Sequence, residues 1–362
     1  GWLDRNETRL LVLPACTSLS DKSVATIRAF AERGGVVVAD VRPGGQRPNG
    51  QPRSDNPLDE VFGIAFDAGG KTFRVKGEMK GNPYADGAEL SFGPALGDPR
   101  IAPDGASAGA AVGPEDKPDK RAAALLGHDV GKGRAYLFNA SFASYSTYRT
   151  EAGEHWSAWH RTFAPVVAAA GLKPRFAVTS QGKTTSGFEI SPFVNGSGYL
   201  LGVEDLGTGD FAGERRPFTV MLPRAFHVYD IRAGKYVGRT DTLNAEVPRR
   251  GHRAYALMPY RVTSVTVDPD RPAATGGETV TLSVDLAIDG AQTRDLHAVR
   301  LEAVSPDGER FFPFRRVARM PEDGPLEIPL TFAHNDPPGT WTFVATDINT
   351  GARGAVSVTL ER

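Results

Sequence analysis

The hydrophobic pattern changes character near residue 174, and that change constrains the fold more than any other feature of the 362 residues. Before it, apolar residues come in continuous runs, Leu10-Leu11-Val12-Leu13 and Val36-Val37-Val38-Ala39, separated by a segment of helical period. Continuous runs suit parallel strands buried on both faces. After it, apolar and polar residues alternate in short runs, as in Tyr199-Leu200-Leu201-Gly202-Val203, Phe218-Thr219-Val220-Met221 and His227-Val228-Tyr229-Asp230-Ile231. A period of two suits antiparallel strands with one buried face. The sequence therefore predicts a multidomain chain, α/β plus all-β. Residues 1–173 form an α/β domain, residues 174–260 a small antiparallel β domain, and residues 261–362 a further β-sandwich.

Local signals fill in the first of these. Ser20 is placed as an N-cap with Asp21 in the first turn, and Leu19 can staple onto Val24. Val24, Ile27 and Phe30 share a face, and Gly34-Gly35 ends the helix. With the two apolar runs this reads as a βαβ unit. Asn56-Pro57 opens a short helix through Leu58, Val61 and Phe62, closed by Gly63. Residues 64–120 read as loop-rich, broken into short β pieces by Gly81-Asn82-Pro83, Gly97-Asp98-Pro99 and Pro103-Asp104-Gly105. A strand over 134–139 and a helix over about 154–170 complete the domain. That helix aligns Trp156, Trp159, Phe163, Val166 and Ala170 on one side before Gly171.

Composition narrows the function classes. The formal net charge is −1 and the basic residues are scattered, so no electrostatic footprint for nucleic acid or an anionic membrane is present. Neutral molecules or proteins are the expected partners. With one cysteine, Cys16, there is no internal disulfide and no C-x-x-C pair. No apolar run approaches the roughly 18 residues of a membrane span, and the amino terminus has no signal-peptide pattern. The chain reads as soluble, with a secreted or periplasmic address left open. It opens with Gly1 rather than methionine and reaches its first apolar run at Leu10, which leads us to expect residues ahead of it.

The segment Leu10-Leu11-Val12-Leu13-Pro14, Leu19-Ser20-Asp21, then Ala29-Phe30-Ala31-Glu32-Arg33-Gly34-Gly35-Val36-Val37-Val38-Ala39-Asp40 resembles the trimerisation domain of family 42 β-galactosidases. The string Val228-Tyr229-Asp230-Ile231-Arg232-Ala233-Gly234-Lys235, with Leu257-Met258-Pro259-Tyr260 downstream, is similar to the small β domain that follows it there. The two matches occur in family order and cover residues 9–260. The resemblance implies a flavodoxin/amidotransferase-like α/β domain followed by two antiparallel β-sandwich domains. It also implies that the (β/α)₈ barrel bearing the acid/base and nucleophile glutamates is not in this chain, and that the α/β domain lacks its opening βα element. The segment Asn335-Asp336-Pro337-Pro338-Gly339-Thr340-Trp341-Thr342 is similar to immunoglobulin-like appendages of large bacterial enzymes.

Candidate chemistry is sparse. Amidotransferase-like folds can carry a nucleophilic cysteine on a strained turn after a strand, which draws attention to Cys16. Yet Pro14-Ala15-Cys16-Thr17-Ser18 has no flanking glycine and no histidine-acid motif beside it, so a small strand-end residue is the plainer reading. After residue 139 come Phe142, Tyr145, Tyr148, Arg149, His155, Trp156, Trp159 and His160, where open α/β sheets bind ligands. Tyr145, Tyr148, Trp156, Trp159 and His160 are the candidate sugar-binding residues. Helical spacing of Trp156, Trp159 and Phe163 equally suits core or subunit packing. Glycosidase chemistry needs two facing carboxylates. Asp40, Asp59, Glu60, Glu151 and Glu154 are candidates by proximity only, with Asp40 foremost because it ends a buried strand. His128, His227, His252, His297 and His334 lack the spacing of a metal site. Asp205, Asp210, Asp268 and Asp270 fall in turns that could bind calcium but match no EF-hand loop. No catalytic residue, cofactor or metal is assigned on this basis.

The expectation is a non-catalytic accessory and oligomerisation region of a glycoside hydrolase resembling β-galactosidase. Its partners would be a missing catalytic domain or second fragment, further copies of itself, and carbohydrate. The alternatives are a sugar-binding β-domain module and, on fold type alone, a stand-alone amidotransferase-like cysteine hydrolase. A sheet lacking its first βα element would expose an edge and an apolar face to a neighbour.

Overall fold

In the computed structural model the described residues are 3, 7–70, 74–82, 89–114, 116–141, 154–184, 187–207, 213–291 and 293–362, without the side chains of 118, 154–157 and 184. The chain divides into two compact units, Gly1–Pro174 and Arg175–Gly207 with Phe211–Arg362.

The first unit contains strands β1 (Leu10–Leu13), β2 (Val36–Asp40), β3 (Ile64–Phe66), β4 (Val75–Gly81), β5 (Leu90–Gly97), β6 (Ile101–Pro103), β7 (Ser107–Val112), β8 (Ala122–Val130) and β9 (Gly133–Phe138). Its helices are α1 (Asp21–Glu32), α2 (Pro57–Phe62) and α3 (Glu154–Ala169), of 12, 6 and 16 residues. Helix α1 starts where a hydroxyl can satisfy an orphan amide: Ser20 Oγ accepts from Ser23 N at 3.1 Å. It stops where Gly34 takes a φ of 116° and Gly35 N turns back to Phe30 O at 3.0 Å, and a side chain on Gly35 would collide with the Phe30 ring. Asn56 caps α2 in the same way, accepting from Leu58 N at 3.3 Å.

Seven strands form one sheet in the order β1-β2-β9-β8-β7-β4-β5. Only β1, β2 and β9 run parallel. β8 pairs antiparallel with β9, and β7 and β4 continue antiparallel beyond it. This overturns the flavodoxin/amidotransferase-like α/β expectation. A doubly wound sheet needs a helical crossover between every pair of parallel strands, whereas β8 reaches β9 through the Gly131-Lys132 turn alone. Residues 64–120, expected to be loop-rich, supply five strands instead. Alternation within the central strands covers both faces. Val37, Ala39 and Leu137 pack with α1 and α2, while Val36, Val38 and Phe138 pack with Trp159 and Val166 of α3.

The second unit begins with β10 (Ala177–Ser180), β11 (Lys183–Thr184), β12 (Phe188–Asn195), β13 (Gly198–Asp205), β14 (Arg215–Asp230), β15 (Lys235–Pro248) and β16 (His252–Met258). These form one sheet, β11-β10-β14-β16-β13-β12, with β15 paired to β14. Register shifts in the β14/β15 hairpin, between Met221 and Phe226 and between Val228 and Tyr229, add local twist. The sheet curls over its own core of Phe218, Val220, Phe226, Leu243 and Leu257, among others. It is a single curled sheet and not the sandwich expected for 174–260.

Strands β17 (Arg261–Pro269), β18 (Ala273–Thr275), β19 (Thr279–Asp289), β20 (Ala298–Val304), β21 (Arg316–Arg319), β22 (Leu326–Thr331), β23 (Gly339–Asp347) and β24 (Arg353–Glu361) follow. They form a three-stranded sheet, β17-β19-β22, and a five-stranded sheet, β18-β24-β23-β20-β21. The pair β18/β24 is parallel, so this part is not purely antiparallel. Its core gathers Phe314, Phe332, Trp341 and Phe343, in edge-to-face contacts except for the tilted pair Phe314 and Phe343, and the same cluster takes in Tyr229, Ala256 and Met258 from the preceding sheet and Tyr260 from the connection after it. The curled sheet and the sandwich thus share one apolar core.

Candidate functional site

Parallel strands end their hydrogen-bond ladder at their carboxy-terminal edges, and open sheets place ligands there. In the first unit that edge is made by Pro14-Ala15-Cys16 after β1, Asp40-Val41-Arg42 at the end of β2 and Asn139 after β9. Ala15 and Val41 have φ of 50° and 49°, in the left-handed region. For a β-branched residue such as Val41 this is strained, at a cost of roughly 1–3 kcal/mol. The strain is held by neighbours: Ala15 N donates to Asp40 Oδ1, and Val41 N donates to Phe138 O at 2.8 Å.

Cys16 sits in this turn, half-buried, with its thiol 3.5 Å from Pro14 O. Burial, and then the nearby Asp40 charge, push the thiol above its ordinary value. Both act against the thiolate that a nucleophile requires. Asp40 therefore closes the turn through Ala15 N, and its charge opposes ionisation of Cys16.

The other carboxylates are also engaged. Asp59 takes a two-pronged contact from Arg42, Nε to Oδ1 at 2.9 Å and Nη2 to Oδ2 at 2.5 Å, and Asn56 Nδ2 adds a bond to Oδ1 at 2.9 Å. Glu60 pairs with Arg28 at 2.8 Å. Glu151, and the side chain of Glu154, lie outside the described residues. Asn139, fully buried, holds the Asp98 turn by accepting from Asp98 N at 3.0 Å and donating to Asp98 O at 2.8 Å. Beside this rim the Phe66 ring has Arg42 at 3.9 Å and Arg100 at 4.9 Å from its centroid, and Arg100 is fixed by Asp98 at 2.7 Å. This pairing of two guanidiniums with one ring was hidden in the sequence, because Phe66 and Arg100 fall in the stretch that reads as loop.

Of the five candidate sugar-binding residues, Tyr145 and Tyr148 lie outside the described residues, as does the side chain of Trp156. Trp159 is 1% exposed. Phe138 and Phe163 stack with it at 5.8 and 5.9 Å, and Phe92 meets it edge-on at 5.4 Å. With its ring covered in this way it packs the sheet against α3 and offers no platform to a sugar. His160, on the outer side of α3, is exposed; desolvation holds its imidazole below the ordinary value. The structure therefore does not bring Trp159 and His160 together on one open surface. Between sheet and helix lies a cavity of about 210 Å³ lined by Tyr136, Phe138, Thr162 and Val166.

The histidines go to separate tasks. His128 bonds Val61 O at 3.1 Å, His227 bonds Tyr236 at 2.8 Å, and His252 bonds Arg232. His297 lies between Tyr260 and Asp347, at 3.0 and 2.9 Å. Asp205, considered for calcium, is buried against Arg216 at 3.1 Å and Arg250 N at 3.0 Å; a guanidinium there is a poor neighbour for a cation. Asp270 accepts from Thr281 N at 3.0 Å, and Asp210 lies outside the described residues. Among the described residues no three His, Cys, Asp or Glu side chains converge as metal ligands, and no helix is long and apolar enough to cross a membrane.

No family model and no curated protein matches the sequence. The structural neighbours include GH42 β-galactosidases. A β-galactosidase from Bacillus circulans sp. alkalophilus is 18% identical with a TM-score of 0.47, over 69% of this chain and 33% of its own. A catalytic mutant of Gan42B, a GH42 β-galactosidase from G. stearothermophilus, is 15% identical with a TM-score of 0.45, over 69% and 32%. The β-galactosidase from Rahnella sp. R3 is 16% identical with a TM-score of 0.46, over 68% and 32%. The chain spans about a third of the length of these proteins. At such identities and TM-scores the likeness assigns no activity.

Proposed function

We propose that this chain is a non-catalytic accessory and oligomerisation region of a carbohydrate-active glycoside hydrolase of the β-galactosidase type. The observation that carries the reading is the placement of the segments that resemble family 42 enzymes. Leu10–Leu13 and Val36–Asp40 pair as parallel neighbours around α1. Val228 and Tyr229 pair directly with Leu257 and Ala256, so the second set of matched residues also forms adjacent strands. Matching residues thus occupy one structural unit each, in family order.

The strand-end rim adds support. A catalytic cleft of this class needs two carboxylates facing a sugar-sized gap, while Asp40 and Asp59 are tied to Ala15 and Arg42. Their chemistry is turn closure and ion pairing. Assembly has its own motive: among the described residues β1 has a single strand neighbour, β2, and Val12 is 47% exposed. An open edge carrying an apolar side chain is a surface that a neighbouring chain or domain covers.

The test is hydrolysis. The purified chain, assayed against aryl β-galactosides and aryl β-glucosides, is expected to give no turnover above buffer. Turnover that is saturable and abolished by Asp40→Asn would overturn the reading.

A further inference from the structure

The tip of the β14/β15 hairpin, Arg232-Ala233-Gly234, meets the tip of the β23/β24 hairpin at Gly351. The approach is backbone to backbone. Gly234 and Gly351 both have positive φ, 59° and 75°, and a side chain on Gly351 would overlap Gly234 Cα. Beside this junction lies a polar cavity of about 290 Å³, lined by Arg232, Arg300, Thr346 and Arg353 together with the two glycine turns.

Three arginines line one small cavity, and positive charge concentrated in this way favours an answering anion. Arg300 has such a partner, Glu302 Oε2 at 3.2 Å from its Nε, though without the alignment of a hydrogen bond. Among the described residues Arg232 and Arg353 have no carboxylate in ion-pair range. Arg232 contacts His252 Nε2, a group that carries no negative charge to offset its own. The lining acid, Asp347, is fully buried and engaged elsewhere, with His297 Nδ1 at 2.9 Å and Thr350 Oγ1 at 2.5 Å. The lining therefore carries more positive than negative charge, and the planar fork of arginine suits oxyanions. Its volume of about 290 Å³ falls at the lower limit of small-molecule sites, a size that suits a small anionic group.

We propose that this cavity binds the oxyanion of a small ligand, a carboxylate or a sulfate ester, through Arg232, Arg300 and Arg353. The inference stands apart from the accessory role proposed above and survives if that role fails.

Calorimetric titration of the full chain at low ionic strength tests it, with sodium sulfate, galacturonate and galactose as probes. Saturable binding is expected for sulfate, galacturonate or both, with none for galactose, and added chloride weakens it. Sulfate alone identifies a tetrahedral oxyanion and galacturonate alone a carboxylate; either supports the site. Arg353→Ala and Arg232→Ala, both at exposed positions, are each expected to weaken binding by about tenfold, as loss of one charge-assisted contact does. Two variants are used so that misfolding of one, seen as a lowered melting temperature, leaves the other decisive. Absence of saturable binding for both anions, galactose binding as tight as galacturonate, or affinities unchanged in a folded variant would each overturn the proposal.

Discussion

Replacing His297 by alanine is the sharpest test of how the second unit is held together. His297 bridges Tyr260 Oη at 3.0 Å and Asp347 Oδ1 at 2.9 Å, and all three residues are 0% exposed. Tyr260 closes the curled sheet, and its hydroxyl also accepts from Asp295 N at 2.6 Å. Asp347 ends β23 and is braced by Thr350. Burial raises the Tyr260 phenol above its ordinary value, which favours the protonated hydroxyl that can donate to the imidazole. Without the imidazole, Asp347 keeps its burial and loses a partner, a change that costs roughly 3–5 kcal/mol for buried charged groups. At about 2–4 °C per kcal/mol for a folding unit of this size, that corresponds to a fall of roughly 6–20 °C in melting temperature. Scanning calorimetry, followed by urea denaturation at constant m, measures it. The double variant His297→Leu with Asp347→Leu should lose less than the sum of the two single variants, because the His297–Asp347 bond is counted in both, although Tyr260 Oη and Thr350 Oγ1 each lose a partner. A loss under about 1 kcal/mol for His297→Ala would refute the argument, since that is no more than an ordinary hydrogen bond contributes.

Three further outcomes are expected. Trp159→Ala removes the aromatic wedge between the sheet and α3 and should destabilise the first unit by about 3–5 kcal/mol, read by urea denaturation; a smaller loss than for Phe163→Ala would contradict its central place. Gly35→Ala forces a methyl into the Phe30 ring and should cost about 1–3 kcal/mol by thermal melting. Because burial and the Asp40 charge both raise the Cys16 pKa, its thiolate fraction at pH 8 is lower than that of a free thiol. Its alkylation by iodoacetamide should therefore be slower and rise with pH only above the ordinary value, while Asp40→Asn should accelerate it. Faster reaction than glutathione at neutral pH would contradict this.

Features governed by neighbours in sequence were legible before the structure. Ser20, Val24, Ile27, Phe30 and Gly34-Gly35 state where α1 begins, which way it faces and where it ends, because capping and helical period act within a few residues. Asn56-Pro57 and Gly63 do the same for α2. Sheet membership was not legible. Ser107-Ala108-Gly109-Ala110-Ala111-Val112 is too small and too evenly apolar to show a period of two, yet β7 sits between β8 and β4. Its place is decided by partners distant in the chain, so four antiparallel strands were added to a sheet expected to be parallel. The curled sheet misled for a similar reason: alternation reports one buried face, not whether a second sheet or the same sheet covers it.

The candidate site divides along the same line. That Asp40 ends a buried strand could be read directly; that its carboxylate closes the Ala15 turn could not. Trp159 on the helix face of Phe163 was readable as core or as ligand surface, and Phe92 and Phe138, from distant strands, cover it. The arginine cavity left no local trace, since Arg232, Arg300 and Arg353 lie on three separate segments and the overall charge is near neutral.

Native mass spectrometry of the protein purified from its source tests the accessory role most directly. The account predicts that these 362 residues occur in an oligomer, or in a complex or longer polypeptide that carries the hydrolytic activity. A 38.7 kDa monomer that hydrolyses a glycoside unaided would contradict it.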